Sequence, residues 1–153
     1  MMSLCCDVLK TLEGRSLATA ESCTGGGIGA AITSVSGSSA IYKGGIISYC
    51  NEIKNALLGV DAALLENFGA VSAPVASAMA SGAREALKAD VAVSTTGLAG
   101  PGGDEFGNPV GTVYIGYADK EQCFAREFHF KGNREEVRTE AIRAALSLII
   151  EMK

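Results

Sequence analysis

The sequence predicts a soluble α/β domain, and three observations carry that prediction. A short apolar run, Leu17 to Ala20, passes through the glycine-rich turn AESCTGGG at 20–27 into residues with helical spacing, giving strand, turn and helix. A further extended run, Asp90 to Thr96, follows a long helical stretch. The 153 residues, 48% hydrophobic and 20% charged, suffice for one buried core and match the size of a single domain.

Each element has its own signal. Residues 3–13 set Leu4, Val8 and Leu12 on one helical face, with the adjacent Cys5 and Cys6 in the same amphipathic helix, and Gly14 ends it. After the strand and the glycines at 25–27, Ile28, Ala31 and Ile32 recur at helical spacing to about Thr33. Residues 35–39 read as a Gly/Ser loop, and Ala40 to Tyr49 as an extended segment with a bulge or bend at Gly44 and Gly45. Asn51 is placed to cap a helix over 52–58, and a short helix follows at 61–68. Ser72 is placed to cap another through Leu87, with Pro74 in its first turn. TTGLAGPGGDEFGNP at 95–109 is a long loop of the sort that compact domains often use for function. Val110 to Ala118 and Cys123 to Phe130 suit a hairpin across Asp119 to Gln122, with His129 at a strand position. The last helix runs from Arg134 to about Met152, and Asn133 with Glu136 forms its capping box. The alanine-rich surface of the helix at 73–88 would suit a homo-oligomer.

Composition narrows the partners and the chemistry. A net charge of −4 without a dense Lys/Arg block opposes a surface for nucleic acid or anionic lipid, since such binding rests on phosphate neutralisation. No apolar stretch approaches the roughly 20 residues that cross a bilayer, and Met1 to Lys10 carries no secretory h-region. Five cysteines without paired metal spacing fit reduced thiols and a cytoplasmic location. A single histidine makes a zinc cluster or a histidine-based triad unattractive, so no metal or other cofactor is expected. Small-molecule partners fit best.

Four segments bring residue types suited to chemistry. In the first, Ser22 lies between a strand and a helix, where a sharp turn can expose a hydroxyl as nucleophile. Backbone amides from Thr24 through Gly25 and Gly26 to Gly27 could meet a phosphate or an oxyanion. Alternatively, Ser22 or Thr24 simply caps the helix, and Cys23 is a rival nucleophile or a small buried hydrophobe. Gly25, Gly27 and Ala30 also satisfy a loose dinucleotide fingerprint with Glu52 as ribose ligand, although Glu52 falls within a predicted helix. In the second segment, SYCNEIK at 48–54, Lys54 sits in the first turn of a helix, where the positive helix end and any burial lower a lysine pKa. A neutral Lys54 could take the Ser22 proton, with Tyr49 orienting it or relaying a proton; otherwise Lys54 is a solvated lysine and Tyr49 an edge-of-core residue. In the third, TTGLAGPGG follows a strand, and its Thr96 and Gly97 are candidates for ligand contact unless Gly and Pro there only satisfy the backbone geometry of a long turn, while Asp104 and Glu105 suit an exposed acidic loop better than a divalent ion. In the fourth, Arg134 and Arg138 share a helical face, ready either for a phosphate or for intrahelical pairing with Glu135, Glu136 and Glu140.

Read in order, AESCTGG, GSSAIYKGGIISYCNEIK, GAVS with its following helix, TGLAGPGG, PVGTVYIG and GNREEVR resemble the C-terminal domain family of the competence/damage-inducible protein CinA. The resemblance covers nearly the whole chain, so residues 1–153 are expected to form one such domain, without the larger N-terminal domain of full-length members. It implies a three-layer α/β/α fold with a mixed, mostly parallel sheet of about five strands. Stand-alone members include nicotinamide-nucleotide amidases, which implies a pyridine nucleotide as small-molecule partner and hydrolysis of nicotinamide mononucleotide to nicotinate mononucleotide and ammonia. Matched by motif, the family's serine, tyrosine and lysine fall on Ser22, Tyr49 and Lys54. Cys50 stands where the family more often has serine.

Overall fold

A computed structural model describes all residues, 1–153. Its elements are α1 (Met2–Thr11), β1 (Leu17–Glu21), α2 (Gly27–Thr33), a 3-10 turn (Ser38–Ala40) and β2 (Tyr42–Ile47). There follow α3 (Asn51–Leu58), α4 (Ala62–Phe68), α5 (Ala73–Leu87), β3 (Val91–Gly97), β4 (Thr112–Ala118), β5 (Cys123–His129) and α6 (Arg134–Glu151). The five strands form one mixed sheet in the order β2-β1-β3-β4-β5. β1 pairs in parallel with both β2 and β3, whereas β4 is antiparallel to β3 and to β5, so only β4 opposes the common direction.

Strand alternation sorts the core into two layers. Leu17, Val91, Val93, Ile115 and Tyr117 face the side covered by α1, α2 and α6, where Cys5, Val8, Ile28, Ile32 and Leu146 meet them. Ala18, Ala20 and Ala92 face the other side, with Leu58, Leu65, Val75 and Met79 from α3, α4 and α5. Each large aliphatic side chain so buried stabilises the fold by about 1.5–3 kcal/mol. Small strand residues on the α5 side let that helix lie close. A methyl at Gly116 would stand 2.2 Å from the Ala76 carbonyl oxygen.

Several local expectations are adjusted. α3 begins one residue early, so Cys50 is the N-cap and Asn51 the first helical residue, and no side chain caps this end. Ser72 holds the N-cap position of α5, but its hydroxyl donates to the Gly69 carbonyl instead of accepting from the helix. The bulge expected near Gly44 appears as a register shift between the partners of Leu17 and Ala18. Part of the alanine-rich face of α5 packs inside the domain, where Ala76, Ala80 and Ala83 are fully buried, while Ala73 and Ala78 are half-buried and Ala86 is exposed. The capping box of Asn133 and Glu136 is present as read from sequence, and no helix is long and apolar enough to cross a membrane.

Candidate active site

The parallel pairing of β1 with β2 brings their carboxyl ends together. The Ser48 amide donates to the Glu21 carbonyl at 2.8 Å, which extends the pairing past β2 and places the Ser48–Tyr49 main chain beside Ser22. α3 then starts, and its side chains lean back toward the helix N-terminus. Lys54, one turn in, therefore reaches back across Cys50. Its Nζ lies 2.9 Å from Ser22 Oγ, 2.8 Å from the Ser48 carbonyl and 3.4 Å from the Tyr49 carbonyl. Lys54 is 1% exposed and Ser22 8% exposed, so the pair is shielded from bulk water. Burial lowers the Lys54 pKa below the ordinary lysine value, against an opposing influence of the nearby Cys50 and Cys23 thiols.

The glycine turn is held by a buried carboxylate. Glu21 accepts from the amides of Ile28 and Gly29 and from the Thr24 hydroxyl, which also meets Thr95 Oγ1. Gly25 and Gly26, at φ +58° and +97°, make the left-handed bend into α2 that only glycine adopts without strain. Glu21 thus occupies the helix terminus where a dinucleotide would place its pyrophosphate, and its charge repels one. That arrangement overturns the dinucleotide interpretation. Neither Ser22 nor Thr24 caps α2, whose N-cap is Gly26.

Beside the Ser22–Lys54 pair opens a cavity of about 530 Å3 at the carboxyl ends of β1 and β3, where the strand order reverses. Ser22, Cys23, Tyr49, Lys54, Thr96, Gly97 and Arg134 all line it. Four expected contacts are not brought there: Thr24, Gly25, Gly26 and Arg138 do not line the cavity. Thr24 is buried on Glu21, while the Gly25 amide donates to the Ser22 carbonyl and the Gly27 amide to the Thr24 carbonyl. Instead the Cys23 amide, which makes no hydrogen bond within the chain, belongs to a cavity-lining residue. Cys23 itself is a buried thiol pushed up by burial to about 11, which makes it a poor nucleophile at neutral pH.

Thr96 reaches the cavity with its hydroxyl already donating to the Ala70 carbonyl. The two arginines divide. Arg138 donates from Nε to the Cys23 carbonyl and from a terminal nitrogen to the Thr24 carbonyl, both at 3.1 Å, so it braces the turn from outside the cavity. Arg134 donates to the Gly100 carbonyl at 2.7 Å and to the Tyr49 hydroxyl at 3.1 Å, at the cavity wall. The Tyr49 phenol, 62% exposed, thus meets Arg134, and it is the Tyr49 carbonyl that steadies Lys54. Sequence reasoning missed Ser48, Glu21, Asn51 and Phe106. Of these only Glu21, a carboxylate ending an otherwise apolar strand, carried a signal that could have been noticed.

Fold and site together define a mixed α/β domain that carries a buried serine–lysine pair at the carboxyl ends of its parallel strands. The chain belongs to the CinA family: the model described as CinA C-terminal domain matches residues 3–153. A CinA-like protein of Geotalea daltonii is 53% identical over 134 residues, covering 88% of this chain and 32% of that protein. One from Synechococcus is 47% identical over 151 residues, covering 96% of this chain and 36% of its own length. The chain therefore spans about a third of the length of the curated relatives it matches. Among solved structures, a competence-damaged protein (CinA) superfamily protein from Escherichia coli superposes with a TM-score of 0.97 at 35% identity, over 99% of this chain and 90% of that one. The competence/damage inducible protein CihA of Agrobacterium tumefaciens gives 0.94 at 37% identity, over 99% and 94%.

Proposed function

We propose that the protein is an amidase that hydrolyses the carboxamide of nicotinamide mononucleotide to nicotinate mononucleotide and ammonia. The observation that carries this is the 2.9 Å contact between Ser22 Oγ and the buried Lys54 Nζ at the wall of a nucleotide-sized cavity. A neutral Lys54 amine has two protons and one lone pair. The protons suit the Ser48 and Tyr49 carbonyls, which leaves the lone pair for the Ser22 hydroxyl proton.

Ser22 Oγ attacks the carboxamide carbon as Lys54 takes its proton, forming a tetrahedral oxyanion. The Cys23 amide, next after the nucleophile and on a residue that lines the cavity, takes the place of the glycine amides as oxyanion donor. The Lys54 ammonium then gives its proton to the departing nitrogen, the C–N bond breaks, and ammonia leaves an ester on Ser22. Water attacks that ester with Lys54 again as base, the ester C–O bond breaks, and the proton returns to Ser22. Arg134, lining the cavity, is the residue for the nucleotide phosphate, and Tyr49 holds it through the phenol. Thr96 and Gly97 form the wall facing the ligand. Arg138 serves the turn.

Incubation with nicotinamide mononucleotide should release ammonia in step with nicotinate mononucleotide. Binding of the nucleotide without ammonia release would instead identify a non-catalytic nucleotide-binding module.

A further inference from the structure

The cavity has a wall that the chemistry at Ser22 does not use. It is built by the loop DEFGNP at 104–109, opposite in character to the arginine side, since Asp104, Glu105 and Phe106 line the cavity there. This stretch is fixed. The Asp104 carboxylate accepts from the Phe106 and Asn108 amides at 3.2 and 3.0 Å and from the Asn108 side chain at 2.7 Å, and Asn108 also donates to the Val71 carbonyl at 3.2 Å. The turn is thereby pinned to the segment 69–71 that forms part of the same cavity.

The pinning seats the Phe106 ring on Gly69. A methyl at Gly69 would fall 2.6 Å from both Cδ2 and Cε2 of that ring, and Gly69 has φ +77°, so the contact requires glycine twice over. Phe106 is nonetheless 44% exposed. An aromatic side chain held against backbone on one side, exposed elsewhere and bordering a cavity offers a free π surface. Glu105, exposed beside it, adds a negative charge that is not neutralised by any ion pair.

We propose that Phe106 is the stacking platform for the substrate's heteroaromatic ring and that, with Glu105, it selects a positively charged ring over a neutral one. The inference deepens the amidase proposal and rests on it for the choice of substrate. An N-ribosylated pyridine carries a full positive charge, which both an aromatic face and a carboxylate attract. The same molecule carries a phosphate. Glu105 and Arg134 both line the cavity, so it offers a partner for each of the two charges.

The test is binding to Ser22→Ala protein, in which turnover does not interfere, with nicotinamide mononucleotide and its reduced, uncharged dihydro form as the two probes. Phe106→Leu should weaken the cationic nucleotide by about 3- to 30-fold and the neutral form by less. Phe106→Trp should restore binding, which a merely space-filling role would not require. Glu105→Gln should narrow the preference between the two probes while leaving the neutral form unaffected. Equal affinity of Phe106→Leu and its parent for the cationic nucleotide, or equal losses for both probes, would overturn the inference. Ammonia release by the unmodified protein is scored separately. If it is absent while the Phe106 series behaves as described, the amidase proposal falls and the ring-binding platform stands; if neither nucleotide binds, the platform falls.

Discussion

Lys54 Nζ and Ser22 Oγ are 32 residues apart in the chain and 2.9 Å apart in space, joined by the parallel pairing of β1 and β2. Removing either atom tests the pair. On the proposed mechanism, Ser22→Ala should lower kcat by at least about 1,000-fold, because loss of a nucleophile in a cooperating set removes most of its effect. Its circular dichroism spectrum and melting temperature should match those of the parent, and ammonia release is the assay.

On the proposed mechanism, Lys54 links activity to pH. Because burial lowers its pKa in the folded state, kcat/KM should rise with pH as the amine loses its proton, along a limb centred below the ordinary value of about 10.4. The unfolded chain binds the extra proton between the lowered folded pKa and the ordinary one. Wild-type stability relative to Lys54→Met should therefore increase across that window as pH rises, and be lowest beneath it. Lys54→Met should be as inactive as the serine variant yet no less stable at neutral pH. Denaturant unfolding of both proteins at a series of pH values measures the difference.

Arg134 and Arg138 should fail differently. Arg134→Ala should raise KM for the nucleotide by about 10-fold or more and lower the melting temperature less than Arg138→Ala, because Arg134 is exposed, and Arg134→Lys should restore little, since a point charge replaces a two-pronged donor. Arg138→Ala should instead destabilise the fold by about 1–3 kcal/mol, because it strips the donors from the Cys23 and Thr24 carbonyls. Steady-state kinetics and chemical denaturation of the same two variants separate the roles.

Glu21 supports the turn from beneath. Glu21→Ala leaves the Ile28 and Gly29 amides and the Thr24 hydroxyl without their acceptor, at a cost of about 2–4 kcal/mol. Glu21→Gln, which keeps one carbonyl oxygen, should lose less. Equal unfolding midpoints for the two variants would contradict this account.

The order of elements was legible in the sequence because the helical period shows in α1 and α2, β1 stands out as a short apolar run and β5 as an alternating one, and glycine or a cap marks most other boundaries. Lys54 stood out because a lysine is unusual in the first turn of a helix, whereas Ser22, a residue type common at helix starts, was singled out by its strand–turn–helix setting and by the resemblance of its motif. The division of labour between Arg134 and Arg138 was not legible. Both share one face of α6, and the partner that separates them, the carbonyl pair at Cys23 and Thr24 or the Tyr49 phenol, comes from distant segments. The amides of the glycine turn misled for a related reason: those of Gly25 and Gly27 are taken by tight internal turns and those of Ile28 and Gly29 by Glu21, which no spacing rule reveals. Phe106 carried no signal, since an aromatic residue in a loop becomes a wall only once Gly69 is beneath it.

Lys54 is gripped by the main-chain carbonyls of Ser48 and Tyr49, while the Tyr49 phenol attends to Arg134. A single residue thus serves two clients through separable parts of itself. On the proposed mechanism, replacement of the aromatic side chain at 49 would retune how the arginine meets its ligand while Lys54 keeps its seat, which would leave related domains room to diverge in what they accept without rebuilding the serine–lysine pair.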